Sequence, residues 1–200
     1  VCPWHEPDHA VDPVAGMGTQ DYVEMYRHVQ SVFRAHGASN AIWVMDYSVQ
    51  IFNATARNVM PLWPGDDAID WLFYNVFEKG KKGRIKRGED FTVLATGIYN
   101  ALLANSTNAT SAACPRGCDF SSKPWGIGAF GSHADVPAAG RVDFLKEAKA
   151  GLDALPLRAY LYFDAKDSAI APGAMQDAYE AFLKAPAFAA NDAGAPPSSD

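Results

Sequence analysis

The sequence predicts an α/β fold carried on a parallel sheet, and three observations predict it. Short, continuously apolar runs bounded by turn residues recur at 40–48, 68–77, 124–130 and 157–163. Several segments between and after these runs repeat their apolar residues every three to four positions. Polar residues, namely Asp46, Asn75, Ser132-His133 and Asp164, collect at or just past the ends of the runs. A continuously apolar strand is covered on both faces, and strands separated by helices run parallel because the crossover returns the chain to the same end of the sheet. Barrels and open doubly wound sheets alike place their chemistry at those strand ends.

The first helical stripe begins at Asp21, which can cap it, with Glu24 three residues on as in a capping box. Tyr22, Met25, Tyr26, Val29, Val32 and Phe33 then recur at helical spacing until Gly37 stops the pattern. Asn40-Ala-Ile-Trp-Val-Met-Asp-Tyr-Ser reads as a buried strand. The turn Trp63-Pro-Gly-Asp-Asp introduces the run Ala68 to Phe77, and a loop of glycosylation sequons and cysteines precedes Pro124 to Phe130. Arg141 to Leu155 carries a helical stripe through Phe144, Leu145, Ala148 and Leu152. Pro156 ends it, Leu157 to Phe163 is a strand, and Met175, Tyr179, Phe182 and Leu183 mark a last helix. From 185 the chain is rich in Ala, Pro and Ser, so one domain is placed at 1–188 and a tail or linker at 189–200.

Composition narrows the function classes. With 200 residues, 48% of them hydrophobic, the chain can bury a core, and a formal charge of −6 leaves no basic footprint for nucleic acid or anionic lipid. No apolar run reaches the roughly 18 residues of a membrane span. The basic stretch Lys79 to Arg87 reads as a solvated turn. The chain starts at Val1 without Met or a leader-like segment, which reads as a cut N-terminus. Cys114-Pro-Arg-Gly-Cys118 lacks the spacing and the second pair of a zinc ribbon and is expected to close a small disulfide loop. Together with the sequons at Asn53, Asn105 and Asn108, it points to a secreted, oxidising setting.

Two motif matches fail on context. His5-Glu-Pro-Asp-His9 has the H-E-x-x-H form, but Pro7 falls inside the helical turn that would present both imidazoles to zinc, and no metzincin glycine follows. Gly126-Ile-Gly-Ala-Phe-Gly131 matches the dinucleotide fingerprint but continues Ser-His-Ala-Asp-Val-Pro, which opens no helix toward a pyrophosphate. Neither a metal nor a cofactor is expected.

Taken in order, the strand-end segments resemble the fourth to eighth strands of a retaining (β/α)8 glycoside hydrolase, most closely the family 26 β-mannanase group. Trp4-His5-Glu6-Pro7 resembles the fourth strand end, and Gly37-Ala-Ser-Asn40-Ala-Ile-Trp-Val the approach to the fifth strand. Trp63-Pro-Gly-Asp-Asp-Ala-Ile-Asp70-Trp71 resembles the sixth. Lys123-Pro-Trp-Gly-Ile-Gly-Ala-Phe-Gly131-Ser resembles the seventh, and Leu157-Arg-Ala-Tyr-Leu-Tyr-Phe-Asp164 the eighth. The resemblance implies the C-terminal portion of a TIM barrel acting on or binding a β-linked polysaccharide. A whole barrel takes about 250 residues, so the other strands are expected upstream in the same chain or from a partner.

In that family the fourth and seventh strand ends carry an acid/base and a nucleophile about 5–5.5 Å apart. Glu6 matches the acid/base. The nucleophile position, just before Phe130-Gly131, holds Ala129, whose methyl group cannot attack an anomeric carbon. Phe77 stands where the family has a tyrosine hydroxyl for the nucleophile, and Met45 where it often has a tryptophan at the sugar subsite. The remaining sugar groove is expected to use Trp4, His5, Trp63, Phe77, Trp125, His133 and Asp164, while Trp43 and Trp71 read as core. Three functions follow: a glycan-binding relative with impaired catalysis, an active hydrolase in which Asp46, Asp164 or another carboxylate joins Glu6, or a non-catalytic wall or surface glycoprotein module.

Overall fold

Apolar alternation builds the sheet one face at a time. In the computed structural model, which describes residues 1–10, 16–48, 59–78, 91–110, 112–165 and 168–184, four strands form: β1 (Val44–Tyr47), β2 (Trp71–Glu78), β3 (Trp125–Ser132) and β4 (Leu157–Tyr162). They lie side by side in chain order and every neighbouring pair is parallel. Met45, Leu72, Tyr74, Val76, Ile127 and Phe130 are fully buried in one core. The helices that cover them are α2 (Thr19–Ala35), α3 (Phe91–Thr107), α4 (Ala138–Asp153) and α5 (Ala174–Leu183), preceded by the single turn α1 (Pro7–Ala10). A strand order that never reverses is the winding of a barrel, whereas a doubly wound sheet reverses at a switch point.

Aromatic contacts fix the helices on the sheet. Tyr22 of α2 donates its hydroxyl to the Met45 sulfur at 3.4 Å, and Tyr26 donates to the Val44 carbonyl at 3.0 Å. Phe91 of α3 packs edge-on against Phe130 at 5.7 Å and Phe144 of α4 at 5.4 Å, and Tyr99 sits 4.6 Å from Trp125. Phe182 of α5 closes the far end, 5.6 Å from Phe130. On the outer side of β1, Val44 N–H donates to the Val1 carbonyl and Glu6 N–H donates to the Asp46 carbonyl. Residues 1–6 therefore lie alongside β1 without forming a strand, with Glu6 beside the end of β1.

The boundaries differ from the expected ones for local reasons. Asp21 is not the cap of α2. The helix starts at Thr19, the Asp21 carboxylate accepts the Gly18 N–H at 2.8 Å, and Glu24 accepts Gln20 Nε2 instead of closing the box. Ala68 and Ile69 are buried but lie in a turn closed by Ala68 N–H to the Gly65 carbonyl, so this apolar run marks burial before it marks strand. Helix α3 has no counterpart among the expected elements. Cys114 and Cys118 form the expected disulfide, with Cα atoms 5.8 Å apart, and Cys2 is free. The basic stretch 79–87, Asn53 and the boundary at 188/189 lie outside the described residues.

Candidate active site

All four strands end on the same edge, and there the N-terminal segment meets β1 and β2. Asp46, one residue from the end of β1, turns away from the helices because its neighbours Met45 and Tyr47 face the core. Its Oδ2 lies 3.1 Å from His5 Nε2. Asn75 of β2, fully buried, donates from Nδ2 to Glu6 Oε1 at 2.8 Å, and the same nitrogen is 3.1 Å from His5 Nε2. An amide NH₂ and an N–H cannot donate to each other. The arrangement that satisfies both carboxylates has His5 Nε2–H donating to Asp46 and Asn75 donating to Glu6.

Electrostatics follow from these contacts. The hydrogen bond to Asp46 raises the His5 pKa above its ordinary value, against the opposing effect of partial burial, and the carboxylates of Asp46, Glu6 and Asp8 add to the rise. Asp8, in α1 beneath this cluster, accepts the Ser48 N–H at 2.9 Å and the Ser48 hydroxyl at 2.6 Å. Burial nevertheless holds its carboxyl above the usual range, with the Ser48 bonds pulling the other way. Glu6 has φ of 50°, the left-handed region that a residue with a Cβ rarely occupies. Such strain persists only where surrounding contacts fix it, here the Glu6 N–H to the Asp46 carbonyl and the side chain to Asn75.

The opposite wall belongs to β3 and is nearly bare of side chains. Tyr74 pairs with Ile127 but the next residue, Asn75, pairs with Ala129, so Gly128 is the extra residue of a bulge. Register places Ala129 on the same face as Asn75, beside the amide that holds Glu6. A Cβ on Gly128 would lie 2.6 Å from Asp46 Oδ1, and one on Gly126 would lie 2.4 Å from the Phe73 ring. The Asp46 carboxylate thus reaches across β2 to the backbone of β3, where its Oδ1 is buried with no hydrogen-bond partner among the described residues.

Only part of the expected groove assembles here. His5 and Glu6 stand in the cluster, Trp4 is exposed beside them, and Phe77 lies at the end of β2 edge-on to Phe163 at 5.8 Å. His133, past the end of β3, pairs with Asp135 at 2.7 Å, and Asp164, past β4, accepts the Ile170 N–H at 2.8 Å. Trp63 and Trp125 are corrections. Trp63 packs 4.5 Å from Phe120 and donates to Asp66. Trp125 opens β3 between Tyr74 and Tyr99 and donates to the Phe120 carbonyl. Both are core residues, and Trp125 lies at the far end of its strand from Ala129. Met45, buried against Tyr22, does not border the cluster either. The pairing of Asn75 with Glu6 and of Asp46 with His5 does not follow from the sequence, which marks Asn75 only as a polar strand end and Asp46 as a polar strand end and a carboxylate that could join Glu6.

Solved structures of known enzymes share this geometry of sheet and helices. A glycoside hydrolase family 26 β-mannanase from Bacteroides ovatus matches 92% of this chain with a TM-score of 0.64 at 15% identity, over 49% of its own length. An endo-β-1,4-mannanase from Cellulomonas fimi matches 94% of this chain with a TM-score of 0.63 at 20% identity, over 40% of its own length. The fold is part of a (β/α)8 barrel, similar to the barrels of these mannanases. This chain spans less than half of either mannanase. No protein-family model matches the sequence, and a search of curated proteins finds no match.

At this strand end the cluster offers one positioned carboxylate, Glu6, beside an ion pair between the exposed His5 imidazole and the buried Asp46 carboxylate. A carboxyl held by a fixed amide at a strand end can exchange a proton with a ligand oxygen. Among the described residues no group of three or more His, Cys, Asp or Glu is placed to hold a metal ion, and no helix is long and apolar enough to cross a membrane.

Proposed function

We propose that this chain is a β-mannanase-like, secreted module that binds β-linked polysaccharide and is impaired in its hydrolysis. One observation carries the reading: Ala129 occupies the register position beside Asn75, whose amide holds Glu6, so the site presents an acid with no nucleophile facing it. A retaining glycosidase needs a second carboxylate about 5–5.5 Å from the first. The glycines of β3 and the Asp46 carboxylate lying over Gly128 support the same view, because that strand carries no carboxylate of its own. Trp4, His5 and Phe77 supply the apolar and polar surface for a pyranose ring beside Glu6. The barrel strands beyond those described come from the same chain or from a partner.

A second reading is favoured by Asp46 alone. Its carboxylate is linked to Glu6 through His5 and Asn75 by contacts of 3.1, 3.1 and 2.8 Å, which sets an upper bound on the separation of their nearest oxygens below the far limit of the roughly 6.5–9.5 Å inverting range. In that reading Asp46 is the base and Glu6 the acid. Asp164, tied to the Ile170 N–H, has no such link.

Reducing-end release and binding on soluble β-mannan, β-glucan and xylan separate the two. Binding without release by the unaltered chain, together with release gained in Ala129→Glu, supports the first reading. Release that disappears in both Glu6→Gln and Asp46→Asn supports the second. Neither binding nor release on any of these polymers overturns both and leaves a structural glycoprotein module.

A further inference from the structure

Two sequons overlap at the end of α3, and the fold treats them differently. Asn105-Ser-Thr107 lies wholly inside the helix, whose last residue is Thr107. Positions i and i+2 of a helix point to different faces, so the Thr107 hydroxyl does not stand beside the Asn105 amide. The Asn105 side chain is half-buried, and its Nδ2 donates to the Ala101 carbonyl at 2.8 Å. Asn108-Ala-Thr110 begins one residue beyond the helix. The Asn108 side chain is exposed, its backbone N–H closes the last turn on the Ala104 carbonyl at 3.0 Å, and Thr110 is exposed beyond the helix, with its hydroxyl accepting the Ala113 N–H at 3.3 Å.

The surroundings of Asn108 have room for a sugar. An open cleft of about 440 Å³ borders it, lined by Met60, Ala104, Ala109, Thr110 and Ala113 and also by Asn105, so what separates the two asparagines is the helix and the Asn105 hydrogen bond and not the space. The segment is also anchored: Thr110 accepts the N–H groups of Ala113 and Cys114 on its carbonyl, directly before the Cys114–Cys118 disulfide. A disulfide belongs to the same oxidising compartments in which sequons are modified. Ser106, near the end of α3, bonds to the Cys118 carbonyl and accepts the Phe120 N–H, and the Phe120 carbonyl accepts the Trp125 indole at the start of β3. Asn108 therefore sits at the opposite end of the strands from Glu6 and Ala129, where a branched glycan leaves the candidate site open.

We propose that Asn108 is an N-glycosylation site of this protein and that Asn105 is not. The donor is a lipid diphosphate-linked oligosaccharide. The Asn108 Nδ2 forms a bond to C1 of the first sugar, the C1–O bond to the diphosphate breaks, the diphosphate leaves with the electron pair, and the amide nitrogen gives up one proton. The inference is independent of what the strand-end cluster binds.

The test is glycopeptide mapping of the chain secreted from a eukaryotic host, with enzymatic deglycosylation in ¹⁸O-water. An ¹⁸O-labelled aspartate at 108 with unlabelled asparagine at 105 is the expected result. Label at 105, or at neither position, overturns the proposal. Two variants check it on intact mass: Thr110→Ala is expected to lose one glycan, and Thr107→Ala none. Transfer of the label to 105 in Thr110→Ala would show that the helix does not protect Asn105 and would sink that half of the argument.

Discussion

At the scale of single residues, the candidate site turns on one contact, His5 Nε2 to Asp46 Oδ2 at 3.1 Å. Its hydrogen bond is the largest cause of the raised His5 pKa. In Asp46→Asn the imidazole is expected to titrate at lower pH than in the unaltered chain, read from its ring proton shifts by NMR; an unchanged value would break the assignment of the pair. The sign for stability follows by linkage. Because the folded value lies above the ordinary one of about 6.5, the contribution of His5 is complete below that pH and is lost as pH rises through the raised value. Gly128→Ala tests the same contact from β3. Its methyl group would meet Asp46 Oδ1 at 2.6 Å, so the carboxylate must shift. A stability loss of about 1–3 kcal/mol by denaturant titration is expected, together with the same fall in His5 pKa. Proximity in sequence reveals neither contact, since Asn75 and Glu6 are 69 positions apart. Both residues were legible as polar strand-end positions, but which partner each takes depends on register.

Among the elements, α3 is the one the sequence analysis passed over. Its signal is present: Phe91, Leu94, Ala95, Ile98 and Leu102 are buried at helical spacing. The helix is apolar around most of its circumference, which blurs the stripe that an amphipathic helix displays. The sequons and the basic stretch on either side also read as loop. The packing makes α3 central, because it covers β2 and β3 and meets α4 through Phe91 and Phe144. Ile98→Ala is expected to cost about 2–5 kcal/mol, as for other large-to-small changes at fully buried positions. Thermal unfolding checks it; a change in Tm within the error of measurement would mean that α3 is not part of the core. The strands were more legible than the helices. Their apolar runs lie in order, and the differences are of boundary, as where buried Ala68 and Ile69 lie in turn and irregular chain before β2.

On the scale of the whole molecule, a formal charge of −6 gives polyanions no attraction, while a neutral β-linked polysaccharide meets no electrostatic barrier. The chain is expected to pass a heparin column at low salt without retention, and retention there would reopen the reading of its partners. What the sequence determined by itself is the α/β class, the parallel order of the strands and the polar residues at the strand ends, with alanine at position 129. These rest on hydrophobic periodicity and residue identity, which are local properties. The tertiary structure alone decided that Trp63 and Trp125 are core, that Asp46 faces His5 and β3, and that a bulge at Gly128 sets Ala129 beside Asn75. An apolar ring is as well suited to a core as to a sugar face, and a shift of one residue in register turns a strand side chain to the opposite face, so these outcomes depend on how the strands meet.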